Sequence, residues 1–497
     1  MASKKISKSE ISAGIKKMNS FGPRITGSEG QLNFIKYLQK EIQDMGVEVY
    51  RDPLFFKKWE EKESSLKLLN FNGREDIEIA SVFPYSGETK ENGITAELHY
   101  VEDKLGGYAG VKGKIAVIEI SEFDSIPAEA VYNKRSSYPH DVDLPDEYAG
   151  PIVTSFVKFQ YARLAKLRGA RAVIFIWKGM ADDCVKGQYL PFALEYQGIP
   201  AIWVNSKNGK RIIEAAKGRR SATLKLIADT CTNAYTETFY CILKGKNEKE
   251  AVIVNTHTDG TNCIEENGAV ALLQLIKVLK EKELSRTHIF VFSTGHLRLT
   301  SFKDADNGGE RAVSKWLGMH KDLWDGKKGH LKAVAGITVE QLGAMEWEDD
   351  DGEYNPTGDI QTELVYTANE NLDKIYINSV KDRELVRTLT LKSHNLFHLG
   401  EGQALFSVGI PEIAVTSAPD HLYAVSDSHE MEKFSADLMC EQVSTIEKVL
   451  AELDNMSALE IGECEDTTFW NRKNITDKKD EKFKNIKEKM RSARKNN

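Results

Sequence analysis

The chain has 497 residues, too many for one hydrophobic core, so two or more domains are expected. Its 41% apolar and 29% charged residues are those of a soluble globular protein. A formal net charge of -8 leaves no basic footprint for nucleic acid, and no apolar run approaches the roughly 20 residues that span a bilayer.

The first residues, MASKKISKSEISAGIKK, are charged and lack the apolar core of a secretory signal. The six cysteines are scattered and form no CxxC pair, which points to reduced thiols and a cytoplasmic protein. Residues 8–46 read as mostly helical, with Ser7 or Ser9 capping the first helix. Ser20–Gln31 reads as a Gly/Pro/Ser turn, and Asn33–Met45 as an amphipathic helix stopped by Gly46. Strand signals follow at Val47–Tyr50, Leu66–Leu69 and Ile77–Val82.

From Glu88 to Ile227 the texture changes. Strands are expected at Lys114–Ile120, Val173–Trp177 and Gly198–Val204, with helices at Tyr161–Arg168 and Asn208–Ala216. Asp124–Gly150 is polar and reads as a long surface loop. The sheet that leaves off near residue 82 is expected to resume near Thr238, so the stretch between reads as an insert with its own core.

The densest signal lies in Ala251–Leu297. An apolar run ends in His257-Thr258-Asp259-Gly260, a loop holds Glu265, Glu266 and Asn267, a periodic apolar helix follows, and a second strand (His288–Phe292) ends in Thr294-Gly295-His296. A third strand, Val334–Leu342, carries Glu340 at its end. In open α/β sheets ligands bind outside the carboxyl ends of strands, and His with carboxylates there suits a divalent metal. Against this, each residue has a plainer reading. His257 and Asp259 could simply close a strand end, Glu265 and Glu266 could complement a helix dipole, and Cys263 reads as a small buried residue. Trp347–Asp359 reads as an acidic turn, and Asn369–Leu389 as mainly helical. Ser393–Gly402 is a loop holding His394 and His398. Its Glu401 reads as a solvated loop carboxylate or as a further wall of the same cleft. A fourth strand (Val408–Ser417) leads to His421 and His429, and Ser435–Leu453 is a long helix. Trp470–Asn497 is a charged, solvated or disordered tail.

In its order of motifs the chain resembles peptidase family 28 of the metallo class, zinc-dependent aminopeptidases and carboxypeptidases. Gly22, Arg24, Gly27 and Ser28 stand in that family's early turn. Lys112–Val117, Ala165–Ile174 and Gly198–Ala201 are similar to a protease-associated domain. His257 and Asp259 match "H-x-D", and Gly409–Pro411 matches "G-I-P". The resemblance covers residues 8–455. It implies an α/β three-layer sandwich with a mixed, mostly parallel central sheet plus an inserted β-rich protease-associated-like domain. The expected boundaries are 1–87 and 233–458 for the peptidase-like domain, 88–232 for the insert and 459–497 for the tail.

The resemblance further implies a divalent metal, zinc above all, as one or two ions, and a peptide or small amide as substrate. The implied metal ligands are His257, Glu266, Glu340 and His429, with His421 the other candidate for the last place. The implied catalytic residues are His296 or Glu265 as base and Asp259 orienting His257. The departures are specific. By strict spacing Ile264 stands where the family has a bridging Asp, and Gly295-His296 stands where it has a Glu-Glu pair. The alternative is a binding or scaffold protein on a degenerate peptidase fold, as in the transferrin receptor.

Overall fold

The apolar run that ends at His257 is buried on both faces. Val252 and Val254 point into one core with Phe290, Phe292 and the helix Gly268–Leu279, while Ala251 and Ile253 point into another with Ile289, Val291 and Trp316. An uninterrupted apolar run of this kind marks a central strand covered by helices on both sides. The computed structural model describes residues 5–70, 73–102, 107–121, 128–146, 151–158, 160–297, 312–350, 353–394, 398–424 and 429–465.

In chain order the strands are β1 (Val49–Asn70), β2 (Gly73–Ile77), β3 (Ser81–Val82), β4 (Ile94–Tyr100), β5 (Ile115–Ser121), β6 (Lys134–Tyr138), β7 (Ala172–Lys178), β8 (Ala201–Val204), β9 (Ser221–Leu243), β10 (Asn247–His257), β11 (Arg286–Ser293), β12 (Lys332–Val339), β13 (Met345–Asp350), β14 (Glu353–Ile360), β15 (Glu363–Thr367), β16 (Thr388–Lys392) and β17 (Glu412–Thr416). Fifteen of them form one mixed sheet in the order β3, β8, β7, β5, β4, β9, β11, β10, β12, β17, β15, β16, β6, with β1 on β9 and β2 on β1. The run β11, β10, β12, β17 is parallel, as is β4, β5, β7, β8. This is the mixed α/β architecture expected from the sequence. No helix among the described residues is long and apolar enough to cross a membrane.

Several local expectations change. Leu66–Leu69 is the end of one strand that begins at Val49, because β1 pairs along β9 with only two register shifts. The sheet does not leave off and resume. β9 pairs with β4 through Ser221–Leu224 and with β11 through Phe239–Leu243, so one strand joins both halves. The second helix begins at Glu29, four residues' worth earlier on the chain than Asn33, because the Ser28 side chain accepts from the Gln31 N–H and caps it. Within the expected loop Asp124–Gly150, Lys134–Tyr138 forms an edge strand on β16. The expected acidic turn Trp347–Asp359 is the hairpin β13–β14, whose Trp347 and Tyr354 pack on Ala181 and Cys184. The expectation for the tail from Trp470 lies outside the described residues.

Candidate metal centre

β10 lies between β11 and β12 and runs parallel to both. The chain leaves β10 through the helix Gly268–Leu279 to reach β11 on one side, and β12 comes in on the other. A sheet that winds both ways from one strand opens a crevice at the carboxyl ends. His257 closes β10, His296 follows β11 and Glu340 follows β12. Local strand signals therefore deliver all three to one place.

Among the described residues, His257, Glu265 and His296 form the one group of three whose ligand atoms all lie within 4.8 Å of one another. His257 Nε2 is 3.7 Å from Glu265 Oε1 and 3.9 Å from Glu340 Oε1. His296 Nε2 is 3.6 Å from the same Glu265 oxygen. The two imidazoles stack, with centroids 4.3 Å apart. His257, Glu265 and Glu340 are buried, and His296 is nearly so.

Each side chain is held from behind. His257 Nδ1–H donates to the Asp259 carbonyl oxygen at 2.8 Å, which fixes the tautomer and turns Nε2 toward Glu265. The Asp259 carboxylate does something else. Its Oδ2 accepts the backbone N–H groups of Gly295, His296 and Leu297 at 3.1, 2.6 and 3.0 Å, and the Thr26 hydroxyl as well. Asp259 thus builds the turn that presents His296, and its carbonyl, not its carboxylate, orients His257. Gly260 is required here because a Cβ would run into the carboxylates of both Glu265 and Glu266. His296 Nδ1–H donates to Glu401 Oε1 at 2.8 Å. The Tyr423 hydroxyl lies 3.3 Å from Nε2. Phe192 covers the ring, 4.9 Å away and tilted by 12°, and also stacks on Tyr423.

Burial sets the electrostatics. It pushes the Glu265 carboxyl well above its ordinary range, and the nearby Asp259 and Glu340 charges add to the rise. No hydrogen bond of normal geometry reaches either Glu265 oxygen, and the charge on His296, with a smaller part from the Tyr423 hydroxyl, offsets some of that rise. Burial also pushes His257 down, and the charge on His296 adds to that. For His296 burial alone would lower the pKa. The Glu401 hydrogen bond and the charges of Glu265, Glu401 and Asp259 outweigh it and raise the group to about 9. Surroundings that hold a proton this firmly also attract a cation.

The predicted site residues divide accordingly. His257, Glu265, His296 and Glu340 are brought together, with Asp259 beneath them. Glu266 is not. Its Oε1 is paired with buried Arg24, whose Nη2 also donates to the Asn262 carbonyl at 2.6 Å. His429 does not reach the cluster either. It is 63% exposed and pairs with Glu432, at the start of the turn Glu430–Lys433. His421 is buried but faces Tyr354, with Nδ1 3.2 Å from that hydroxyl. The Gly22–Ser28 turn signalled Arg24 without its partner. Nothing in the sequence signalled Phe192 or Tyr423.

No protein-family model matches this chain, and no curated protein matches its sequence. Solved structures do match. A peptidase M28 precursor from Shewanella amazonensis SB2B aligns with a TM-score of 0.63 at 15% identity, over 90% of this chain and 94% of that one. The zinc aminopeptidase BSAP from Bacillus subtilis aligns at 0.61 and 15%, over 91% and 97%. An aminopeptidase from Aneurinibacillus sp. strain AM-1 gives 0.57 and 16%, over 90% and 94%. The chain has the fold of these peptidases.

Proposed function

We propose that the protein is a metal-dependent hydrolase of the aminopeptidase type, cleaving an amide bond of a peptide or a small N-acyl or amino-acid compound. One observation carries the reading. On a fold shared with zinc aminopeptidases, His257 Nε2 and both Glu265 oxygens lie buried without a hydrogen bond of normal geometry at the strand ends. A buried carboxylate left this way is unfavourable unless a proton or a cation compensates it. Three protein donors also match the usual catalytic zinc set with one open position.

His257, Glu265 and His296 would hold the ion. When bound, it would supply a Lewis acid for the scissile carbonyl and bring the pKa of a water toward ~7. The remaining steps belong to the chain. Glu340, beside His257 and beyond the three donors, takes the water proton and returns it to the leaving amine. Asp259 keeps His296 in place through the backbone. Phe192 lies over His296 and excludes water from that side. Because Phe192 belongs to residues 88–232, a protease-associated-like insert would shape the cleft mouth. The free state of all six cysteines supports a cytoplasmic setting.

The test is elemental analysis of protein purified without chelator, together with hydrolysis of a panel of aminoacyl para-nitroanilides. About one equivalent of zinc, manganese or a similar ion is expected, with chelator-sensitive hydrolysis of at least one substrate. Protein that takes up neither ion on addition would sink the reading. A second reading, a binding protein on a degenerate site, is favoured by Gly295, which offers no carboxylate beside His296, and by the closure of the cluster. Metal bound without any hydrolysis would point to it.

A further inference from the structure

Glu401 sits on none of the strands that carry the cluster. It precedes the helix Gly402–Ser407 and is fully buried. Both carboxylate oxygens are engaged. One accepts His296 Nδ1–H at 2.8 Å and the other accepts the Val313 N–H at 3.1 Å. The Glu401 N–H in turn donates to Glu340 Oε1 at 2.9 Å. The approach is tight, because Gly400 has φ +76° and a Cβ there would collide with the Glu340 carboxylate. One residue therefore holds ionisable groups that follow two different strands, β11 and β12.

We infer that Glu401 is the positioning residue of this centre. It fixes the tautomer and ring orientation of His296 with its side chain, and the carboxylate of Glu340 with its backbone. The inference rests on the metal-centre reading above. With Nδ1–H committed to Glu401, Nε2 is the nitrogen that faces Glu265. A carboxylate behind a ligating imidazole fixes the ring and raises its basicity, and its loss typically costs about 10–100-fold in metal affinity. The strand end that has only Gly295 beside His296 thus receives its carboxylate from a distant part of the chain.

The test compares full-length wild type, Glu401→Gln and Glu401→Leu for Co²⁺ and Zn²⁺ affinity, by competition with a chromogenic chelator. The visible spectrum of the Co²⁺ form and thermal unfolding of the metal-free form are recorded alongside. Gln keeps an acceptor oxygen for Nδ1–H without the charge, and Leu keeps neither. Glu401→Leu is expected to bind about 10–100-fold more weakly with a shifted Co²⁺ band. Glu401→Gln is expected to fall between, with a band close to wild type. If the Leu variant unfolds, the Gln variant alone decides through its affinity. Folded variants with wild-type affinity and an unchanged band would leave Glu401 a structural residue only and overturn the inference. A wild type that binds neither ion would overturn the metal reading itself and this role with it, so the two failures are reported by different proteins.

Discussion

The rings of His257 and His296 lie face to face, with centroids 4.3 Å apart and planes 16° apart, although they end different strands. Two imidazoles so close and so buried do not both carry charge, and the carboxylates favour the proton on His296. Removing either ring takes one of three donors. His257→Ala and His296→Ala are each expected to lose the metal in elemental analysis. Glu340→Gln is expected to keep the metal while hydrolysis falls by about 10²–10⁴-fold. Full metal retention in both His variants would put the ion elsewhere.

Arg24 and Glu266 form a fully buried ion pair that ties the first turn of the chain to the loop after β10. Burial lowers the Arg24 pKa to about 10, so it stays charged at neutral pH. Arg24→Met leaves Glu266 unpaired and is expected to cost about 3–5 kcal/mol in urea unfolding. The double variant Arg24→Met, Glu266→Leu should recover part of that loss. Equal stability of the single and double variants would show that the pair is not what matters.

Phe192 is the cover over His296. Phe192→Ala should open that face. Diethylpyrocarbonate is expected to modify His296 several times faster in this variant, read by peptide mass spectrometry, with His429 as the exposed control. An unchanged rate at His296 would mean that another group closes the site.

His421 contributes its own share of the pH dependence of stability. Burial, with a smaller push from Lys433, lowers its pKa to about 3, and its ring faces Tyr354. Unfolded, it titrates near ~6.5. The folded value is the lower one, so this contribution is fully present above ~6.5 and is lost as pH falls from there toward about 3. Between pH 7 and 5 wild type should lose about 2 kcal/mol that His421→Gln does not lose. Parallel pH profiles for the two proteins would contradict this.

Gly260 has no room for a side chain. Gly260→Ala is expected to cost about 1–3 kcal/mol and to displace the Glu265 carboxylate, so that metal affinity falls along with thermal stability. A variant with wild-type affinity would show that the loop can give way.

Much of the core unit was legible locally. The apolar run before His257, the helix after Asn267 and the strand before His296 all declare themselves by period, and strand ends are where ligands collect. β6 and the hairpin β13–β14 did not, because KRSSY and the acidic segment lack an apolar alternation strong enough to mark a strand. Their pairing partners, and the packing of Trp347 on Ala181 and Cys184, make them strands. His429 and His421 show the same limit in the site. Both lie on the correct stretch, and only the contacts each ring finds, Tyr354 for His421 and Glu432 for His429, keep them from the cluster.

By itself the sequence determined that His257, His296 and Glu340 stand at the ends of apolar strands, and the sheet order that sets β10 between β11 and β12 brought them together. A continuous apolar run is a short-range signal, and it marks a buried strand and its end without reference to the rest of the chain. The tertiary structure alone decided that Glu401 backs His296, that Phe192 covers it and that Arg24 takes Glu266 away from the cluster. Those contacts join segments far apart in the chain. They arise because buried charges and donors must find partners wherever packing brings them, which no local pattern records.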